Sequence, residues 1–241
     1  ARMYIQVTLF GAAAMLALTR VLPAREEEAP LCWRALWPYG LAMLATLYSH
    51  YYAAALLLAH NLAFVAWLGL RARATRPGGR ALWRLLAPWA LTQLALLALY
   101  APWLAYAWHT IRYWPSISAP FTLGELILRL AQVLPLGITV HTAPWTLAVG
   151  AALAALAALG LTRPAAEASP RLRWWPVIAV ALYAAVPLGL MYAASLRRPM
   201  YNPKFLLLAT PGYLLLLARG LEALAAGAKR LAGRWAARAT L

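Results

Sequence analysis

Acidic residues are scarce in this sequence. None of its 241 residues is aspartate, and glutamate accounts for all six acidic side chains. Charged residues of both signs make up 12% of the chain, about half the share found in an ordinary soluble domain. Cys32 is the single cysteine, and the four histidines are scattered without carboxylate neighbours. The sequence therefore excludes an internal disulfide and a zinc-binding module, and no metal or other cofactor is predicted.

Apolar residues, in contrast, make up 64% of the chain. They come in blocks of roughly 18–22 residues, the length that a helix needs to cross ~30 Å of hydrocarbon. Lipid cannot satisfy the backbone of an open strand, so these blocks are predicted to be helices. We therefore expect an all-α, polytopic transmembrane bundle that forms a single domain over residues 1–241. Its membrane helices, about seven in number, are predicted at Met3–Arg20, Leu36–Ser49, Tyr51–Leu70, Trp83–Tyr106, Ala143–Leu161, Trp174–Ala194 and Phe205–Leu221.

The second of these blocks is short and meets the third at Tyr48, Ser49 and His50, almost without a loop. A tight hairpin and one kinked helix are both open at this junction. The hairpin is favoured, because a single helix of about 35 residues would be far too long for a bilayer.

The distribution of lysine and arginine predicts an orientation. If the first block runs from outside to inside, six cations lie outside and the remaining sixteen of the 22 lie inside. The outer six are Arg2, Arg112, Arg129, Arg197, Arg198 and Lys204. This bias follows the positive-inside rule, so the net charge of +16 reflects topology and no nucleic-acid partner is predicted. The alanine, arginine and leucine bias favours a bacterial origin, and thus a multi-pass protein of the inner (plasma) membrane, surrounded by lipid.

The longest polar connection, residues 107–142, falls on the predicted outer side. It contains Thr122 and, three residues later, Glu125, which is capping-box spacing for the start of a helix. Leu123, Leu126, Leu130 and Leu134 then fall on one face. We expect an amphipathic helix on the outer membrane surface, either as a simple interfacial anchor or as a lid over a lipid-substrate site.

Cations near a membrane are costly, and Glu125 is the only acidic residue predicted on their side. The outer cations therefore favour an anionic ligand, best a phosphate or pyrophosphate head group, with Arg197, Arg198 and Lys204 as candidate phosphate-binding residues. Snorkelling to ordinary lipid phosphates is the alternative. His60 and Asn61 fall in the middle of a predicted helix and are interpreted as a helix–helix polar contact.

Several short segments, taken in order, resemble motifs of one enzyme family. They are Ala1–Tyr4, Leu47–Tyr52, Leu99–Leu104, Tyr201–Leu206 followed by Pro211, and Leu217–Leu221. The first is similar to an E-A-R-x-Y segment, the second to Y-T-H-Y-F, the third to L-Y-L-P-W-L, and the last two to Y-x-x-R-Y-L…P…L-A-R-G-L. Together they resemble the polytopic bacterial glycosyltransferases of family 39. These are dolichyl-phosphate-mannose-protein mannosyltransferase-like proteins, and they include the aminoarabinose transferases of lipid A.

The resemblance implies a C-type glycosyltransferase fold with its active face outside. It implies a polyprenyl-phosphate sugar donor and a lipid, glycan or protein acceptor. By the resemblance, Arg2 and Lys204 bind the donor phosphate, and Tyr4, His50 and Tyr201 line the cavity. Tyr51 and Asn202, polar groups at the same helix ends, are assigned to that cavity as well.

Two features depart from the family pattern. Lys204 stands where the family has arginine, which keeps the charge and loses the two-pronged fork. The family's catalytic Asp or Glu is expected upstream of Ala1, so the chain is expected to be inactive by itself. Because it starts without Met and ends on a basic stretch, it is taken as truncated at both ends. Some relatives use a divalent metal, but this sequence shows no ligands for one.

Two other classes of protein stay open. A transporter or flippase of an anionic lipid or lipid-linked sugar would also place cations near helix breaks. However, such proteins usually show paired broken helices in two related halves, which this sequence lacks. A non-catalytic membrane scaffold is the third class, and it leaves the outer cations unexplained.

Overall fold

A computed structural model describes residues 2–22, 31–75, 78–165 and 168–239, and within them the chain is helical with no strand. The all-α prediction is confirmed. The eight α-helices are α1 (Arg2–Val21), α2 (Trp33–Ser49), α3 (Ala54–Thr75), α4 (Gly79–Arg112), α5 (Leu123–Leu136), α6 (Pro144–Gly160), α7 (Trp175–Ser195) and α8 (Thr210–Ala239). Two 3₁₀ turns, Tyr51–Ala53 and Pro203–Leu208, precede α3 and α8.

Within the described residues, four helical segments are long and apolar enough to cross a membrane: Met3–Val21, Tyr51–Thr75, Gly79–Arg112 and Trp175–Ser195. The chain thus has the elements of a membrane protein. Three of the seven predicted membrane helices fall outside this set. The apolar helix α6 and helix α2 have 17 residues each, and α8 has 30 residues with charges along it. The count of seven therefore stays a prediction.

The chain reverses direction at His50. Helix α2 ends at Ser49, His50 has an extended backbone (φ −164°, ψ 133°), and the 3₁₀ turn follows. Tyr39 and His60, which lie on either side of this junction, have ring centroids only 5.7 Å apart. Because a continuous helix would separate these two rings by about 30 Å, the favoured interpretation of a hairpin is confirmed.

The largest core lies where α1, α2, α3, α4 and α7 meet. Asn61 on α3 donates a hydrogen bond to the Gln93 side chain on α4 (3.1 Å) and accepts one from the Trp89 indole (3.1 Å). It is therefore the helix–helix polar contact that the sequence predicted. His60 is buried between the rings of Tyr39 and Tyr183, and its ring nitrogens have no hydrogen-bond partner among the described residues.

Helices α5, α6 and α8 pack through glycine. A Cβ atom on Gly160 of α6 would overlap the carbonyl oxygen of Leu216, and one on Gly220 of α8 would overlap that of Leu156. A Cβ on Gly150 would overlap the Ala131 carbonyl of α5 in the same way. Backbones approach this closely only where side chains are absent, as is common between membrane helices.

Candidate functional site at one end of the bundle

A cavity of about 580 Å³ opens where the first turn of α1, the last turn of α2, Trp103 of α4 and the segments after α4 and α7 come together. This is the end of the bundle that the charge distribution predicts to face outside. The structure places all five predicted cavity residues on its wall: Tyr4, His50, Tyr51, Tyr201 and Asn202. The wall also includes residues that were not predicted: Met3, Tyr48, Ser49, Trp103, Trp114, Ile117, Pro203 and Phe205.

His50 is held in one orientation by the chain reversal. Its Nδ1 accepts a hydrogen bond from the Tyr52 backbone N–H (3.0 Å), which leaves the proton of the neutral ring on Nε2. The ring lies 4.5 Å from Tyr51, 5.1 Å from Tyr4 and 5.5 Å from Phe205, centroid to centroid. Burial by these rings lowers the pKa of His50 below its ordinary value. The neutral ring is thus favoured, with its Nε2–H as a donor.

Lys204 lies between Pro203 and Phe205, which line the cavity, but it is not itself a lining residue. Asn202 caps the 3₁₀ turn that contains it, since the Asn202 side-chain oxygen accepts a hydrogen bond from the Lys204 backbone N–H (3.0 Å). The Lys204 side chain is exposed, and its Nζ lies 5.9 Å from the centroid of the Tyr4 ring. Tyr4 is only 7% exposed and lines the cavity. The turn therefore presents the lysine charge beside the cavity wall.

The other predicted phosphate-binding residues are placed differently. Nη1 of Arg198 donates to the backbone carbonyls of Arg112 (3.1 Å) and Trp114 (2.7 Å), so this guanidinium caps the carboxyl end of α4. Arg197 is exposed. Neither residue lines the cavity. Arg2 begins α1, but its side chain lies outside the described part of the structure.

Residues 113–122, between α4 and α5, form one side of the cavity. Trp114 and Ile117 line it, and Trp114 lies 6.0 Å from the ring of Tyr51. The segment is attached to the chain after α7, because the Ile117 N–H donates to the Pro199 carbonyl (3.0 Å) and the Tyr201 N–H donates to the Ser118 hydroxyl (3.2 Å). This part of the outer loop is therefore cavity wall.

Helix α5 starts with the predicted capping box between Thr122 and Glu125. Its leucine face, however, does not lie free for the membrane surface. Leu126 is buried, and Leu130 and Leu134 pack beside it against a cluster that includes Phe205. Leu123 is half exposed, as are Ile127 and Leu128 on other sides of the helix. The protein itself therefore covers most of the leucine face. The position of α5 on the membrane surface, as an anchor or as a lid, stays a prediction.

Arg129 on α5 is a residue whose position sequence reasoning missed. Its guanidinium carbon lies 4.8 Å from the centroid of the Tyr201 ring and 5.5 Å from that of Phe121. In sequence it is one outer cation among six, since nothing local shows that it contacts a cavity tyrosine. The packing of α5 and the outer loop against the segment after α7 places Arg129 beside Tyr201.

No carboxylate that could serve as a general base lines the cavity in the described part of the chain. Glu125 and Glu222 are its carboxylates, and neither lines the cavity. The Glu125 carboxylate accepts a hydrogen bond from the Thr122 N–H (2.7 Å) and so serves the helix cap. The described residues also show no group of three or more His, Cys, Asp or Glu side chains that could hold a metal.

No family model matches this chain, and no match was found among curated proteins or solved structures. The function must therefore be inferred from the site itself and from the resemblance of its motifs.

Proposed function

We propose that this chain belongs to a membrane glycosyltransferase that takes a sugar from a polyprenyl-phosphate donor on the outer face of the membrane. The cavity is the observation that supports the proposal. Its volume of about 580 Å³ lies in the range of small-ligand sites. Tyrosine, tryptophan and phenylalanine rings provide flat apolar surfaces for the C–H faces of a sugar. His50 and Asn202 provide polar groups for its hydroxyls.

Lys204 supplies the electrostatic part of the proposed reaction. When the sugar leaves its lipid carrier, negative charge grows on the departing phosphate. A cation fixed beside the phosphate oxygen whose bond to the sugar breaks stabilises the transition state more than the ground state. Lys204 is a point charge over the ring of Tyr4, which lines the cavity. The proposal gives none of the described residues the role of the base that deprotonates the acceptor.

An apolar groove of about 380 Å³ between α2 and α4 suits the lipid part of the donor. Its lining includes Leu44 of α2 and Leu99 of α4. One helical turn further along the same helix faces stand Tyr48 and Trp103, which line the cavity. A polyprenyl chain in this groove would hold its phosphate near the cavity mouth. In this proposal the fold is of the glycosyltransferase C type, with seven membrane helices, in a bacterial inner membrane.

A transfer assay tests the proposal. The protein, expressed from its complete reading frame, is reconstituted in vesicles that contain polyprenyl-phosphate donors with a radiolabelled sugar and candidate lipid, glycan and peptide acceptors. We expect transfer in the wild type and a loss of at least about tenfold in kcat/KM for Lys204→Ala. Lys229→Ala on α8, far from the cavity in sequence and exposed, is the matched control and should keep full activity.

Two outcomes would contradict the proposal. Movement of intact donor between the leaflets without sugar transfer would assign the protein to the flippase class. Equal transfer by wild type and Lys204→Ala would remove the assigned role of the lysine.

A further inference from the structure

Arg129 is a half-buried cation whose charge is not neutralised by any described residue. No ion pair joins it to Glu125 or Glu222, the carboxylates in the described ranges. The Glu125 carboxylate, one helical turn away, is used in the helix cap. A cation held near a membrane without an acidic partner is costly, so such a residue is a candidate for binding an anion.

The contacts of Arg129 leave its hydrogen-bonding groups free. It rests on the rings of Tyr201 and Phe121, and within the described parts of the chain its N–H groups make no hydrogen bond. A cation–π contact uses the charge of the guanidinium and does not consume its N–H donors. The planar fork of donors thus remains available for a pair of phosphate or carboxylate oxygens.

Arg129 does not itself line the cavity, but it contacts a residue that does. Tyr201 lines the cavity, and the Arg129 charge acts on its phenol: burial raises the pKa of Tyr201, while Arg129 opposes that rise. Lys204 has the same arrangement on a neighbouring part of the wall, where its Nζ lies over Tyr4. Two cations, from α5 and from the 3₁₀ turn before α8, therefore each rest on a tyrosine of the cavity wall.

We propose that Arg129 is a second anion-binding residue of this cavity, which grips two phosphate oxygens of the ligand while Lys204 supplies a point charge. This inference rests on the proposed function for the lipid nature of the ligand, but the binding chemistry stands apart from any transfer. The phosphate could belong to a lipid head group or be a free anion. Arg129 would bind the phosphate oxygens of either source in the same way. Probes with and without a lipid chain distinguish the two sources.

A binding experiment with purified protein in detergent tests the inference. The probes are farnesyl phosphate, inorganic phosphate and the uncharged alcohol farnesol, measured by calorimetry. We expect Arg129→Gln and Arg129→Met to weaken farnesyl phosphate binding by about 10- to 100-fold, and Arg129→Lys to weaken it less. Arg129→Met keeps a long side chain on the two rings, so it separates loss of charge from loss of packing. Binding of farnesol should not change in any of these variants.

Arg112→Gln is the matched control. Arg112 is an outer cation that also lies over a tyrosine, 5.7 Å from the Tyr113 ring, but neither residue lines the cavity. Its removal should leave all three affinities unchanged. Competition by inorganic phosphate at the same concentration as farnesyl phosphate would identify a free anion as the ligand, and much weaker competition would identify the lipid phosphate.

Unchanged binding of farnesyl phosphate by Arg129→Gln and Arg129→Met would overturn the inference, and so would an equal loss of farnesol binding. The proposed function is judged separately. Binding that depends on Arg129 without any sugar transfer would refute the transferase and keep the anion site. Sugar transfer by Arg129→Gln with an unaltered KM for the donor would keep the transferase and refute the anion site at Arg129.

Discussion

Arg197 and Arg198 are neighbours in the sequence with different surroundings. From sequence both were predicted to bind phosphate, since both are outer cations without a nearby acid. In the folded chain Arg198 donates to the carbonyls of Arg112 and Trp114, while Arg197 makes no such bond and is exposed. The Arg198 side chain therefore fixes the end of α4 and, through it, the cavity wall at residues 113–122.

Removing this guanidinium should loosen that wall. In Arg198→Gln the two carbonyls at the end of α4 lose a charged donor, so we expect the amide hydrogen of Ile117, bonded to Pro199, to exchange about tenfold faster. Hydrogen exchange with mass spectrometry checks this. Arg197→Gln is the control and should exchange like the wild type. Equal exchange in the two variants would show that Arg198 does not hold the segment.

At the scale of single residues, the sequence predicted those site residues that lie within short motifs. Tyr4, His50 and Tyr201 each belong to a segment that resembles a family motif, and the structure places them on one cavity. Trp103, Trp114 and Arg129 contribute to or contact the same wall, but each depends on how α4 and α5 lie against the rest of the chain. Such distant contacts have no local signal.

At the scale of helices, apolar blocks predicted where the elements are but not where they end. The block Trp83–Tyr106 became α4, Gly79–Arg112, which is longer at both ends. A block ends where polar residues begin, because lipid rejects them, whereas a helix continues as long as its backbone bonds and local propensities allow. The start of α5 was predictable because a capping box is a local hydrogen-bond pattern.

The close packing of α6 on α8 predicts that a side chain at Gly220 destabilises the fold. The Cβ of Gly220→Ala would overlap the carbonyl oxygen of Leu156 and force the helices apart, so we expect a loss of about 1–3 kcal/mol in the free energy of unfolding. Gly227 lies on the same helix, and a Cβ there meets nothing within 4 Å. Gly227→Ala should therefore leave stability unchanged or raise it by up to about 1 kcal/mol. Thermal unfolding in detergent compares the two, and similar midpoints would contradict the packing.

At the scale of the whole molecule, the sequence predicts seven helices that cross the bilayer. Four helices of the described residues are long and apolar enough by themselves, while the division of the cations between the two sides was made for seven crossings. Helix α6 discriminates between these counts. It has 17 residues, short for a span of ~30 Å, yet it is strongly apolar and lies between connections predicted on opposite sides.

Cysteine labelling settles the crossing of α6. Cys32 is exposed and predicted inside, so an impermeant maleimide should reach it only after the membrane is permeabilised. In a Cys32→Ser background, Ser116→Cys marks the outside, and Thr142→Cys and Thr162→Cys flank α6 at exposed positions. We expect Thr142→Cys to label in intact cells like Ser116→Cys, and Thr162→Cys to label only after permeabilisation. Labelling of both flanks from one side would mean that α6 does not cross.

The same experiment tests the orientation of the chain. Labelling of Cys32 from outside would mean that the orientation is the reverse of the predicted one. The cavity, with Lys204 and Arg129, would then lie on the cytoplasmic face, where a donor presented outside cannot reach it.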